Sequence, residues 1–137
     1  MLLAIKPRFA DLIISGKKVI EVRRGGTTIK SGDVLVLYVS SPERSIRATC
    51  SVATVETRTV RSALSALNGE TGLTKEELRD YLKGAAKVTL LGIESVVPLS
   101  PAIPLTELRR RKRRIVIPQS YRFLDASEVR TIVPDVK

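Results

Sequence analysis

The chain has 137 residues, 43% of them hydrophobic, and a formal net charge of +10 from 24 Lys+Arg against 14 Asp+Glu. That size and hydrophobic content suit one buried core and exclude a wholly disordered chain. Histidine is absent and Cys50 is the single cysteine, which excludes Ser-His-Asp and Cys-His catalysis, an intrachain disulfide, CxxC chemistry and a conventional zinc site.

Leu2 to Ile5 reads as a short strand. Pro7 suits the first turn of a helix, on which Phe9, Leu12 and Ile13 recur at helical spacing, and Gly16 is the natural stop. Val19 to Arg23 reads as a strand, followed by a glycine loop and a turn at Ser31-Gly32-Asp33. The run VLVLYV (34–39) has the unbroken apolar character of a strand covered on both faces. Ile46 to Glu56 alternates, with a change of phase near Ala53 that predicts a bulge, and Cys50 falls on its apolar side as a core residue.

Residues 60–67 predict a short helix. Thr74 and Glu77 form a capping box for a second one ending at Gly84. Lys87 to Val97 reads as a long strand ended by Pro98. A helical turn from Pro104 then meets the run Arg109, Arg110, Arg111, Lys112, Arg113, Arg114, which breaks the apolar periodicity and shortens or frays the helix. Extended structure resumes at Ile115. Short strands interleaved with short helices indicate an α+β domain built on a small, partly open β-barrel.

No apolar run approaches the roughly 18 residues of a membrane-spanning helix, so a soluble, intracellular protein, cytoplasmic by default, is expected. No phosphate-cradling glycine loop occurs and no cofactor or metal is called for. The charge excess fits a polyanionic partner, nucleic acid before acidic membrane. The basic run at 109–114 serves either as a non-specific phosphate grip at the edge of a binding cleft or as a solvated loop, and no large apolar helix face accompanies it for membrane binding.

The segment GKKVIEVR (16–23) poses a sharper question. In a regular strand Ile20 and Val22 share one face, and Glu21 and Arg23 the other. Lys18, in the preceding turn, is free to swing toward them. The three charges form either a solvated strand face with an incidental ion pair or the polar wall of a ligand site.

The spacing Gly16-x-Lys18-x-x-Glu21-x-Arg23 resembles the GxKxxExR signature of the ASCH domain, a member of the PUA-like group. Other matches follow in the family's order: Ile5-Lys6-Pro7, the Gly32-Asp33 turn, Tyr38-x-Ser40-Ser41-Pro42, the helix start at 71–78, and PQSYRFL (118–124). The resemblance spans residues 3–124 and implies one ASCH-like domain over 1–137, with 125–137 as a C-terminal extension. It further implies a PUA-like half-open barrel with peripheral helices and a cleft beside the signature strand that accepts RNA or a nucleobase-like ligand.

On that reading Lys6, Lys18, Arg23 and Arg24 supply cationic donors for phosphates. Tyr38 and Tyr121, followed by Arg122, are candidate stacking surfaces, although Tyr38 equally suits the core and Phe123 suits it better. Glu21 either orients Lys18 or Arg23 or accepts a hydrogen bond from a base amino group. Ser40, Ser41, Gln119 and Ser120 either read base edges or satisfy turns. The resemblance also carries an alternative, a small amidohydrolase acting on a modified nucleoside such as N4-acetylcytidine through a Lys, a Thr and a Glu. Lys18 matches the first and Glu70 the last, while the Thr position holds Glu21.

Overall fold

The computed structural model describes residues 1–133. Strand β1 (Leu2–Ile5) leads into helix α1 (Pro7–Ile14), whose first turn tolerates Pro7 because an N–H there has no intrahelical partner to lose. Gly16 then turns the chain at φ 81°, a left-handed conformation that strains any side chain carrying a Cβ. Strands β2 (Ile20–Arg24), β3 (Val34–Val39) and β4 (Ser45–Arg58) follow. Helices α2 (Val60–Ala66) and α3 (Lys75–Leu82) precede β5 (Val88–Pro104), and α4 (Leu105–Arg111), the two-residue β6 (Tyr121–Arg122) and α5 (Ala126–Ile132) complete the order.

The strands form one mixed sheet in the order β2-β5-β4-β3-β1-β6, with β1 parallel to β3 and every other pair antiparallel. The sheet curls into a half-barrel flanked by 5 short helices. Bulges supply the bend: β4 shifts register against β5 at three places, one of them between Val52 and Thr54, where the phase change near Ala53 predicts it.

Three apolar clusters hold the sheet. Leu3, Ile5, Leu35, Leu37 and Leu91 pack with Ala10 and Ile13 of α1 on one face. Cys50 joins them at 2% exposure, and burial pushes its thiol up to about 12, so it is a small core residue with no reactive thiolate. On the other face Leu2, Val36, Tyr38 and Ile46 are covered by Leu105 and Leu108 of α4 and Ile132 of α5. Strand β3 is thus buried on both sides, as its unbroken apolar run requires. Ala63, Leu67, Leu78 and Leu82 of the α2–α3 segment cover Val22, Val88 and Leu90. Full burial of each such leucine contributes about 1.5–3 kcal/mol.

Two expectations are corrected. Strand β5 does not stop at Val97 but continues through Pro98 to Pro104. Its neighbour β2 pairs only with Val88 to Gly92, so the prolines lie where β5 is an edge and can lack an N–H on its open side. Phe123, expected in the core, is 57% exposed. Helix α4 is short as expected, yet it keeps Arg109 to Arg111 in its last turn, where cations oppose the negative end of the helix dipole. The capping box is present as read, with Thr74 Oγ1 accepting from Glu77 N and Glu77 Oε1 from Thr74 N, each at 3.1 Å.

Candidate functional site

Strands β2 and β6 stand at opposite ends of the sheet order, so no ladder joins β2 to the β1–β6 edge. Arg23 bridges that seam with its side chain: Nη1 donates to Ser120 Oγ (2.8 Å) and Nη2 to the Ala4 carbonyl (3.4 Å). Beside the seam, between α1 and α3, opens a cleft of ≈ 840 Å³.

Its floor is a chain of charges. Lys18, 3% exposed, donates through Nζ to the Thr71 carbonyl (2.5 Å) and the Ile20 carbonyl (2.8 Å), and lies 3.2 Å from Glu21 Oε1. An ammonium has three protons, and these three acceptors use them all. The Phe9 ring covers the same nitrogen, 5.3 Å from its centroid. Glu21 turns its other oxygen to Arg23 Nη2 at 2.6 Å. Burial lowers the Lys18 pKa below its ordinary value, Glu21 opposes that shift, and Arg23 adds to it. The buried Arg23 Nε has no hydrogen-bond partner among the described residues.

Glu21 and Arg23 therefore share a face, and Lys18 joins them from the turn. That face is no solvated strand surface, since Glu21 is only 8% exposed. It is a packed, internally paired floor. The Ile20–Val22 face packs instead on the α2–α3 cluster.

The mouth is built differently. Lys6 lines it, exposed and without an ion pair among the described residues. Arg8 stacks on Phe9 (5.0 Å) and makes a bidentate pair with Glu77 at 2.7 and 2.9 Å. That pairing, with the capping bond, holds the Glu77 carboxyl at about 2. Tyr81 lies across the cleft at 40% exposure, its hydroxyl donating to the Val22 carbonyl at 3.4 Å, with Asp80 beside it.

Of the residues singled out in the sequence, Lys6, Lys18, Glu21, Arg23, Ser40, Gln119 and Ser120 line the cleft. The others do not. Tyr38 is 4% exposed within the cluster under α4 and α5, so it offers no stacking face. Tyr121 packs on the first cluster, and its hydroxyl accepts from Thr27 Oγ1 at 3.1 Å. Arg122 is spent on the Val116 carbonyl (2.8 Å) and Glu128 (3.2 Å). Arg24 and Ser41 are exposed outside the cleft, and none of residues 109–114 lines it.

Glu70 also stays outside. Its carboxylate accepts from Asn68 N at 2.6 Å, a backbone bond that lowers its pKa, and its carbonyl accepts from Val19 N and Ile20 N. Lys18 and Glu70 thus help to stitch the loop before α3 onto the start of β2, and the Lys–Glu–Glu set of the amidohydrolase alternative is not assembled in the cleft. Among the described residues no group of three or more Cys, Asp and Glu is placed to hold a metal ion, and no helix is long and apolar enough to cross a membrane.

Sequence reasoning missed Arg8, Phe9, Asp80 and Tyr81. Phe9 sits at core spacing on α1, and its exposure depends on where that helix lies against the sheet. Asp80 and Tyr81 follow from α3, whose capping box fixes its phase but not what it faces. The result is a hollow with aromatic sides, a hydrogen-bonding floor whose charges are already paired, and a cationic mouth. That suits a planar polar guest carrying negative charge at its outer end.

Comparison with known proteins agrees with the sequence signature. An ASCH domain-containing ribonuclease from Zymomonas mobilis is 27% identical over 131 residues, covering 96% of this chain and 88% of its own length. The crystal structure of ASCH from Zymomonas mobilis superposes with a TM-score of 0.89 at 26% identity, covering 97% of this chain and 92% of that one. The N-terminal domain of Staphylothermus marinus McrB shares the fold alone, with a TM-score of 0.59 at 7% identity over 98% of this chain and 93% of that one. The model of the ASCH domain matches residues 3–98, and the chain belongs to that family.

Proposed function

We propose that this chain acts on RNA, taking one unpaired nucleotide of a strand into the cleft between α1 and α3. The observation that carries the reading is the division of labour within the cleft: a floor of internally paired charge beneath two aromatic side chains, with Lys6 unpaired at the mouth. A base seats against Phe9 or Tyr81, because stacking needs only a planar face. Glu21, Ser40, Gln119 and Ser120 lie along the base edge, and Lys6 meets the phosphate, where most RNA affinity arises. The name of the Zymomonas relative, a ribonuclease, points to the same class of partner.

Retardation of labelled single-stranded RNA across a salt series tests this. Lys6→Ala should flatten the slope of log affinity on log salt by about 0.7, the contribution of one phosphate contact on a single strand. Phe9→Ala should weaken binding by about 1–3 kcal/mol, the worth of one stacked base, without changing that slope. The same mixtures, run with and without EDTA, show whether the bound strand is cut. No retardation at low ionic strength, or wild-type affinity in both Phe9→Ala and Tyr81→Ala, would sink the reading.

A further inference from the structure

The six consecutive basic residues at 109–114 look alike in sequence but fall into two populations in the fold. Arg111 donates Nε to Glu107 (3.1 Å) and Nη1 to the Ile132 carbonyl at the end of α5 (2.8 Å). Lys112 pairs with Glu128 of α5, the same carboxylate that accepts from Arg122. Arg110 keeps a loose contact with Glu107 at 3.3 Å. Arg111 and Lys112 thus fasten α4 to α5, with Leu108 and Ile132 buried between the helices and the sheet.

Arg109, Arg113 and Arg114 do none of this. All three are exposed, and no acidic group among the described residues lies within ion-pair reach of them. Ile115 N donates to the Lys112 carbonyl at 3.2 Å, closing a turn with Arg113 and Arg114 at its tip. Arg113 and Arg114 at that tip, with Arg109 four residues before them, are like charges that repel one another, a cost that a matched anion removes. Guanidinium forks fit phosphate oxygens two at a time, which lysines cannot do. A lipid surface is a poorer match, because Leu105 and Leu108, the leucines of α4, are buried and the helix itself has no apolar face to insert.

The turn is also near the cleft. Gln119, in the cleft wall, follows Arg114 by five residues, and a fully extended backbone of that length spans at most about 18 Å. At about 3.4 Å per nucleotide along a stacked strand, that is room for about five nucleotides.

We propose that Arg109, Arg113 and Arg114 form a second RNA contact, a clamp on the phosphates flanking the nucleotide held in the cleft, with Arg114 no more than about five nucleotides from it. The proposal rests on the RNA reading of the cleft. It makes recognition two-point, with the cleft selecting a nucleotide and the arginine surface holding the strand around it.

Strand length separates the two contacts. A dinucleotide, with a single internal phosphate, is the shortest strand that fills the cleft, whereas about 12 nucleotides span more than the separation of cleft wall and turn, at most about 18 Å. In the full chain, the R109A/R113A/R114A variant should bind the short strand as wild type does and the long strand more weakly. Its salt slope on the long strand should fall by about 2, three phosphates at about 0.7 each. The triple lysine variant should restore that slope. If Phe9→Ala weakens both lengths and the triple alanine variant changes neither, the clamp is refuted while the cleft reading stands. If neither Phe9→Ala nor Tyr81→Ala changes either length and the triple variant still weakens the long strand, the cleft reading falls and the clamp falls with it as a flanking contact. Loss of binding to phosphatidylserine vesicles with unchanged RNA binding would assign the surface to a membrane and overturn the proposal.

Discussion

The floor of the cleft and the basic run at 109–114 are both concentrations of charge, yet they obey opposite economies. In the floor, Lys18, Glu21 and Arg23 are withdrawn from water, and each is held by partners inside the chain. Their value lies in geometry, because a buried pair is costly to break and gains little over an apolar substitute. In the basic run, Arg111 and Lys112 are spent as fasteners, while Arg109, Arg113 and Arg114 stand in water with no acidic partner among the described residues. A cation's identity in sequence says little about its role. The acceptors around it decide.

Breaking the floor should have the largest effect. Glu21→Ala leaves two buried cations side by side, and the unfolding free energy should drop by about 3–5 kcal/mol in urea titrations. Lys18→Met keeps the volume and leaves Glu21 with Arg23, but strips the Thr71 and Ile20 carbonyls of their donor. It should cost about 2 kcal/mol. The same pair of proteins gives a pH signature. Because the folded pKa of Lys18 is lowered, the unfolded chain binds more protons in the window just below the ordinary value of 10.5. The stability of the wild type relative to Lys18→Met should therefore rise with pH through that window, and a flat difference would show that Lys18 titrates alike in both states.

The basic run sharpens the contrast at smaller magnitude. Arg111→Ala frees the Ile132 carbonyl and should cost about 1 kcal/mol, whereas Arg114→Ala should stay within about 0.5 kcal/mol of wild type. Equal losses would mean that the two populations are one. The subtlest change is at the mouth. Glu77→Gln releases Arg8 from its bidentate partner, and the salt slope of RNA binding should steepen by about 0.7 as one more cation meets phosphate.

What could be read in the sequence follows from the range of the forces involved. The Thr74–Glu77 box, the Gly16 stop and the apolar run of β3 are settled by neighbours within a few residues, and each stands as read. The cluster at Lys18, Glu21 and Arg23 was visible because strand alternation and one turn suffice to gather it. That Lys18 has no proton left for a guest was not visible, since one of its acceptors is the Thr71 carbonyl, 53 residues away. Tyr38 shows the same limit. It alternates onto the outer face of β3, which becomes interior only when α4 and α5 close over it, and α5 begins beyond the last residue of the family signature. Strand β5 ran past its prolines because edge position is a property of sheet order, which no local pattern encodes.

The seam spanned by Arg23 has a mechanical corollary. Elsewhere the sheet is sewn by main-chain ladders that release only when whole strands part, but here the fasteners are side chains, the Arg23 guanidinium and, just past β2, the Thr27–Tyr121 hydroxyl contact. The β2 rim can swing outward at the cost of a few side-chain contacts, so its amides should exchange with deuterium well before those of β3 and β4. An edge held by side chains makes the aperture of the hollow the softest part of the sheet, with the laddered scaffold behind it stiffer.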